Sequence, residues 1–129
     1  MKIGHEQFKQ MISEAIADIP SPYNERLQNV AFIAEDKPTT DQLKELGLVS
    51  GQTLFGLYEG TPLPDRNTTK LLPDKITLFK EPLISASRDI DELRKNIRNT
   101  IWHEVAHYFG LDHRRIHELE NNSHNKSKE

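Results

Sequence analysis

Apolar residues recur at three- and four-residue steps between Leu93 and Phe109, and this stripe defines the longest element that the chain can form. It consists of Leu93, Ile97, Ile101, Val105 and Tyr108 or Phe109. Such spacing places the apolar side chains on one face of an α-helix. Asp89 or Asp91 can cap its start, and Gly110 allows a left-handed turn after its end. We therefore predict a helix from Ile90 to Phe109 with one face in the core.

The rest of the chain predicts a second long helix and three short strands. Apolar residues at helical spacing run from Glu6 to Ile19, and Pro20 ends that pattern. Segments 29–35, 53–58 and 75–80 are rich in strand-favouring residues, with Val30, Phe32 and Ile33 expected to be buried in the first. These elements predict an α+β fold, with a small β-sheet packed on an N-terminal and a C-terminal helix.

The sequence also predicts the structure or role of three segments that connect these elements or follow them. Thr39 or Thr40 can cap a short helix through Leu46, and Gly47 ends it. The loop 59–74 is polar and contains Pro62, Pro64 and Pro73, among other turn-forming residues. Because a structureless loop of that length is more often functional than not, we expect it to flank a substrate cleft. Segment 114–119 is expected to form a short turn or helix.

Length and composition predict one domain with a mobile end. A chain of 129 residues can bury a single core. Hydrophobic residues make up 35% and charged residues 29%, a polar balance that leaves room for a tail. We place the domain at residues 1–120 and a disordered tail at 121–129.

Charge and hydropathy disfavour two classes of partner. The net charge of −3 gives the chain no overall basic character for binding nucleic acid. No apolar run approaches the roughly 20 residues of a membrane helix, and the first residues lack the apolar core of a signal peptide. We therefore expect a cytoplasmic protein without a membrane anchor, whose oligomeric state the sequence does not indicate.

One motif on the predicted C-terminal helix carries chemistry. Residues 103–113 read H-E-x-x-H-x-x-G-x-x-H, with His103, Glu104, His107, Gly110 and His113 at the fixed positions. A four-residue step on a helix brings two side chains one turn apart on the same face, so His103 and His107 can share one metal ion. A third ligand must return from a bend, which Gly110 supplies and His113 follows.

The ligand types indicate a single catalytic zinc ion. The chain has no cysteine, which leaves imidazoles and carboxylates as ligands. Three neutral imidazoles leave a fourth position open for water, the arrangement of a catalytic rather than a structural zinc site. Glu104 is rotated about 100° from His103, so we expect it to take a proton from the zinc-bound water instead of binding the metal.

Other residues near the motif have open roles. Asp112 is a rival third ligand or a hydrogen-bond partner of a ligand, and His117 is either such a partner or a surface residue. His5 and His124 are expected at the surface. Attack of a metal-bound water on a substrate carbonyl gives a tetrahedral intermediate with a negatively charged oxygen. Stabilisation of this oxygen falls mainly to the metal, and Tyr58, Tyr108 and His117 are candidate helpers.

Several segments resemble the minimal zincin-like metallopeptidases of bacteria, which are small single-domain proteins. Besides the metal motif, the resemblance includes Asn29-Val30-Ala31, Leu57-Tyr58-Glu59-Gly60 followed by Pro62-Leu63, and the segment from Leu72 to Leu78. The resemblance implies a small mixed sheet, a peptide cleft beside an edge strand and one zinc ion. It also implies a metallopeptidase that cleaves peptides or unfolded proteins.

One position departs from the family pattern. Members of the family usually carry an acidic residue where this chain has His113, so the role of His113 follows from its position only. A histidine at this position resembles the motif of the metzincins, but metzincins also have a methionine turn after the motif. Here the methionines are Met1 and Met11, which excludes a metzincin.

Two alternatives stay open. A metal-dependent endoribonuclease of the rRNA-maturation family has the same histidine spacing and a Gly-x-Asp-His segment, matched by residues 110–113, but lacks a glutamate after the first histidine. Five basic residues near the motif could contact phosphates, namely Arg94, Lys95, Arg98, Arg114 and Arg115. A weakly active peptide-binding module is the other alternative, because so small a domain has few walls around a substrate.

Overall fold

We describe residues 1–47, 54–60 and 73–111 of a computed structural model of the chain. In chain order the elements are α1 (His5–Ala17), α2 (Tyr23–Arg26), β1 (Val30–Glu35), α3 (Thr40–Glu45), β2 (Gly56–Glu59), β3 (Asp74–Phe79), α4 (Lys80–Ser85) and α5 (Ile90–Tyr108). The three strands form one sheet, and the two long helices, α1 and α5, pack against each other and against this sheet. The predicted α+β fold is confirmed.

The sheet is mixed, with strand order β1-β3-β2. Strand β1 runs parallel to β3, from Val30 opposite Asp74 to Glu35 opposite Phe79. Strand β2 runs antiparallel to β3, with Gly56 opposite Leu78. Within the described residues β1 and β2 are therefore the two edges of the sheet, and β3 lies between them.

The core is built mainly from α1, β3 and α5. Its buried side chains include Phe8, Met11, Ile12 and Ala15 from α1, Ile76 and Leu78 from β3, and Leu93, Ile97, Ile101 and Val105 from α5. The predicted apolar stripe of the long helix thus faces this core. Since α5 contacts α1, β2 and β3, its orientation is fixed along most of its length.

Side chains stabilise the starts of two helices where the sequence predicts them. Asp89 accepts a hydrogen bond from the backbone N–H of Glu92 at 2.8 Å, which caps α5. Thr39 accepts one from the N–H of Gln42 at 3.1 Å, and the Gln42 side chain accepts one from the N–H of Thr39 at 2.9 Å. This reciprocal capping box starts α3.

The end of α5 is a Schellman turn. The Leu111 N–H donates to the Ala106 carbonyl at 3.0 Å, and the Gly110 N–H donates to the His107 carbonyl at 2.9 Å. Gly110 has φ 72°, a conformation that costs glycine little because it has no Cβ. The predicted bend at Gly110 is confirmed, and it turns the chain three residues after His107.

Some elements differ from the predictions. Helix α1 ends at Ala17 instead of Ile19, although Ile19 is still buried. The short helices α2 and α4 were not predicted; α4 follows β3 directly, and its Pro82 is tolerated because it lies in the first turn. Val30, Phe32 and Ile33 are only partly buried, since β1 is an edge strand.

Several predicted features lie outside the described residues. These are the start of the second predicted strand at 53, most of the loop 59–74, the segment 114–119 and the tail 121–129. The domain bounds therefore stay a prediction. Among the helices that the structure does describe, none combines the length and the apolar character needed to cross a bilayer.

Candidate metal centre

His103 and His107 lie one turn apart on α5, as the motif spacing predicts. Their ring centroids are 4.9 Å apart, and the ring planes are inclined at 79°. Both residues are half-buried. The helix around them is held by Ile101 and Val105, which lie in the core, so the backbone that carries the two imidazoles is rigidly placed.

The Glu104 side chain is buried, whereas the two motif histidines, His103 and His107, are only half-buried. Its exposed fraction is 8%, because it belongs to the same helix face as Ile97, Ile101 and Val105. The backbone N–H of Tyr58 on strand β2 donates to Glu104 Oε1 at 3.0 Å. The carboxylate therefore lies between the helix and the edge of the sheet.

This environment changes the acidity of Glu104. Burial raises the pKa of the carboxyl from its ordinary 4.5 to about 7, and the hydrogen bond from Tyr58 opposes part of that rise. A carboxyl with a pKa near neutrality exchanges protons readily at physiological pH, which suits a general base.

The two histidines fit a metal ion, and the Glu104 carboxylate lies beside them. One ligand atom from each of His103, Glu104 and His107 can be chosen so that all lie within 4.8 Å of one another. Two nitrogen ligands each roughly 2.1 Å from one zinc ion are about 3.4 Å apart at tetrahedral angles, so small side-chain rotations bring the imidazoles to that spacing. Borderline-soft nitrogen donors are also the ligands that zinc prefers.

The predicted third ligand, His113, lies outside the described residues, as do Asp112 and His117. The structure brings together His103, Glu104 and His107, and it shows the chain turning at Gly110. The roles assigned to these residues, and the choice among the third-ligand candidates, therefore stay predictions.

A cleft opens beside this cluster. Its volume is about 360 Å³, at the small end of ligand pockets, which run from roughly 300 to 1,000 Å³. It is lined by Leu54, Phe55, Gly56, Asn99, Thr100, His103 and Glu104. The cleft thus lies between the start of β2 and the turn of α5 that precedes the motif.

Gly56 sets how closely β2 approaches α5. A Cβ at this position would lie 2.6 Å from Thr100 Cγ2 and 3.2 Å from the Thr77 carbonyl oxygen. Any larger residue would therefore push the helix away from the strand. We did not predict this contact from the sequence, although a glycine inside a strand pattern is a recognised sign of close backbone approach.

The two tyrosines considered as oxyanion helpers have other hydrogen-bond partners. The Tyr108 hydroxyl is fully buried, accepts from the Gln28 N–H and donates to the Gln28 carbonyl, both at 3.1 Å. The Tyr58 hydroxyl donates to Asp74 Oδ2 at 2.5 Å. These contacts favour a structural role for both hydroxyl groups.

The basic residues offer limited support for a nucleic-acid substrate. Arg94 lies 3.9 Å from carboxylate oxygens of both Glu14 and Asp91, so part of its charge is compensated. Lys95 and Arg98 are exposed on α5, and the other two basic residues considered lie beyond the described part of the chain.

Comparisons with known proteins give a family match and a similar fold. A family profile described as zincin-like metallopeptidase matches residues 27–123. The fold is similar to that of a conserved hypothetical protein from T. thermophilus, with a TM-score of 0.56 and 19% sequence identity over 83% of this chain and 94% of the other. The comparison with curated proteins gave no significant match.

Proposed function

This chain belongs to the zincin-like metallopeptidase family, and on that basis we propose that it hydrolyses peptide bonds with one zinc ion. The observation that supports the proposal best is the cluster on α5, in which ligand atoms of His103, Glu104 and His107 lie within 4.8 Å of one another beside an open cleft. A structural zinc site, by contrast, is closed by four protein ligands.

In the proposed site His103 and His107 hold the zinc ion, and His113 is the third ligand expected from the motif. A zinc ion bound there would lower the pKa of a water molecule and polarise the substrate carbonyl. The half-burial of both histidines keeps their rings accessible to a ligand while the helix keeps them one turn apart.

Glu104 is the proposed general base. Its carboxylate takes a proton from the attacking water as the water oxygen bonds to the carbonyl carbon. It then gives that proton to the nitrogen of the breaking C–N bond, so that a carboxylic acid and an amine leave. A pKa of about 7 in the metal-free protein places Glu104 near the balance point for both transfers.

The cleft indicates which substrate side chain would lie next to the reacting bond. Leu54 and Phe55 form apolar walls. The Thr100 hydroxyl donates to the Asn96 carbonyl at 2.7 Å, and its methyl group points toward Gly56. The described lining contains no lysine or arginine, so we propose that the cleft accepts an apolar side chain of a short or unfolded peptide.

The test combines metal analysis with peptide cleavage. Wild-type protein grown with ample zinc should contain one zinc per chain and cleave a mixed peptide library, with one cleavage-site position enriched in apolar residues. His107→Ala should lose the zinc, whereas Glu104→Gln should keep it and lose at least about a hundredfold in cleavage rate. His5→Ala, at an exposed histidine on α1, is the matched control and should change neither.

Three outcomes would contradict the proposal. Wild-type protein without stoichiometric zinc would exclude the metal site. Equal background cleavage by wild type and Glu104→Gln would favour a peptide-binding module. Chelator-sensitive cleavage of RNA in a parallel gel assay, without peptide cleavage, would favour the ribonuclease.

A further inference from the structure

The hydrogen bond between Tyr58 and Glu104 depends on where β2 lies in the sheet. The Phe79 N–H donates to the Phe55 carbonyl at 2.9 Å, and Phe55 lies opposite Phe79 when the β2–β3 register is extended by one pair. Successive residues of an antiparallel strand point their backbone groups alternately toward and away from the partner. The backbone N–H and C=O of Leu57 therefore point toward β3, and those of Tyr58 point away from it.

Strand β2 is an edge strand in the described sheet, and the Tyr58 N–H points toward its outer side, away from β3. Glu104 reaches this donor from α5, and its Oε1 lies 3.0 Å from the nitrogen. The contact joins residues 46 positions apart in the sequence. It leaves Glu104 Oε2 as the oxygen not engaged by Tyr58.

The side chain of Tyr58 is anchored at its other end. Its hydroxyl donates to the carboxylate of Asp74, which is fully buried at the start of β3. The Asp74 N–H in turn donates to the Asn29 carbonyl at 2.8 Å. Gly60 packs directly over this carboxylate, since a Cβ there would lie 2.5 Å from Asp74 Cγ.

We propose that Tyr58 is a positioning residue for the base: its backbone N–H holds Glu104 Oε1 so that Oε2 faces the reacting water, and Asp74 anchors the phenol that keeps this N–H in place. The role rests on the proposed peptidase function. A carboxylate held by one oxygen cannot rotate freely, so the oxygen that moves the proton keeps one orientation. Tyr58 itself touches neither substrate nor metal in this scheme.

A backbone amide-to-ester replacement at Tyr58 tests the proposal directly. Incorporating the α-hydroxy analogue of tyrosine removes the N–H and leaves the side chain unchanged. We expect kcat for a peptide substrate to fall about tenfold or more, as misplaced catalytic groups typically cause, with KM and zinc content unchanged. The matched control is the same replacement at Leu57, which removes a donor that faces β3 instead of Glu104.

Side-chain variants test the anchor. Tyr58→Phe removes the hydrogen bond to Asp74 and should lower kcat without changing KM. Tyr23→Phe is its control, because Tyr23 is also half-buried and packs through its ring on Trp102 and Phe109, away from the cleft and the two histidines. This change should leave kcat at the wild-type value. Thermal unfolding of each variant separates a loss of stability from a loss of rate.

Hydrogen exchange gives a readout that needs neither metal nor activity. In the metal-free protein the Tyr58 amide should be protected in wild type and in Glu104→Gln, which keeps an acceptor oxygen. It should exchange at least about tenfold faster in Glu104→Ala, which has none. An unchanged exchange rate in Glu104→Ala would overturn the proposal.

The kinetic outcomes separate this inference from the function on which it rests. Zinc-dependent cleavage that is equal in the Tyr58 ester and in wild type, or equally reduced in the Tyr58 and Leu57 esters, would overturn the positioning role alone. Absence of any zinc-dependent cleavage by wild type would overturn the proposed function, and the positioning role with it.

Discussion

At the scale of single residues, Glu104 is subject to two opposing influences. Its side chain continues the apolar face of α5, and the resulting burial disfavours the charged form. The N–H of Tyr58 stabilises that charged form but only partly compensates for the lost solvation. A carboxylate in such a position costs the fold stability, which is common for groups kept for chemistry.

This cost predicts a dependence of stability on pH in the metal-free protein. As pH rises past 4.5 the unfolded chain loses the Glu104 proton, while the folded chain keeps it until about pH 7. The unfolded state therefore binds fewer protons in this window, and the free energy of unfolding falls as pH rises, by up to about 3 kcal/mol, before levelling off.

Urea unfolding at pH 5 and pH 8 measures the effect. Glu104→Gln is the control, because it keeps the shape and an acceptor for Tyr58 but does not titrate. Wild type should lose more stability than the variant between the two pH values. The same change in both proteins would show that the burial of Glu104 does not raise its pKa.

At the scale of secondary-structure elements, the contact between β2 and α5 creates the cleft. The strand and helix meet where Gly56 faces the Thr100 methyl group, and the cleft opens beside that contact. The Glu104–Tyr58 hydrogen bond lies along the same pair of elements. The distance between β2 and α5 therefore affects both the position of the Glu104 carboxylate and the width of the proposed binding cleft.

Gly56→Ala should disturb this spacing. The new Cβ would lie 2.6 Å from Thr100 Cγ2, so we expect a loss of about 1–3 kcal/mol in the free energy of unfolding. Adding Thr100→Ser removes that methyl group, keeps the hydroxyl for Asn96 and should restore part of the loss. Recovery should be incomplete because the Thr77 carbonyl oxygen, at 3.2 Å, remains.

Denaturant unfolding of the single and double variants gives the coupling between the two positions. Gly4→Ala is a suitable control, since a Cβ at Gly4 meets no atom within 4 Å. Strictly additive effects of Gly56→Ala and Thr100→Ser would contradict the close packing described for β2 and α5.

At the scale of the whole molecule, the apolar core is separate from the candidate metal site. The core joins α1, β3 and α5 through apolar side chains and does not include either histidine. Burial of apolar side chains is the dominant favourable contribution to the free energy of folding. The fold should therefore form without a metal, unlike small zinc domains that unfold when the ion is removed.

Zinc removal should consequently lower the melting temperature without abolishing the helical circular dichroism signal. A ligand at a hundred times its dissociation constant adds about 2.7 kcal/mol, so a clear upward shift in melting temperature is expected on adding zinc to chelated protein. His107→Ala should lose the shift, and His5→Ala should keep it. Loss of the helical signal on chelation would show that the metal is needed for folding.

Patterns that repeat over a few residues were predictable from the sequence alone. The stripe from Leu93 to Tyr108, the caps at Asp89 and Thr39 and the turn at Gly110 all depend on neighbours within one helical turn or two. The same locality placed His103 and His107 on one face. His113, beyond the described residues, remains a prediction from the motif.

Contacts between distant segments needed the tertiary structure. The strand order β1-β3-β2, the burial of Glu104, the Tyr58 N–H that holds its carboxylate and the Gly56–Thr100 contact each join parts of the chain far apart in sequence. A local pattern states which side chains an element presents on each face. Only the packing of the elements decides what those faces meet, and in this protein that packing places the carboxylate of the motif against the edge of the sheet.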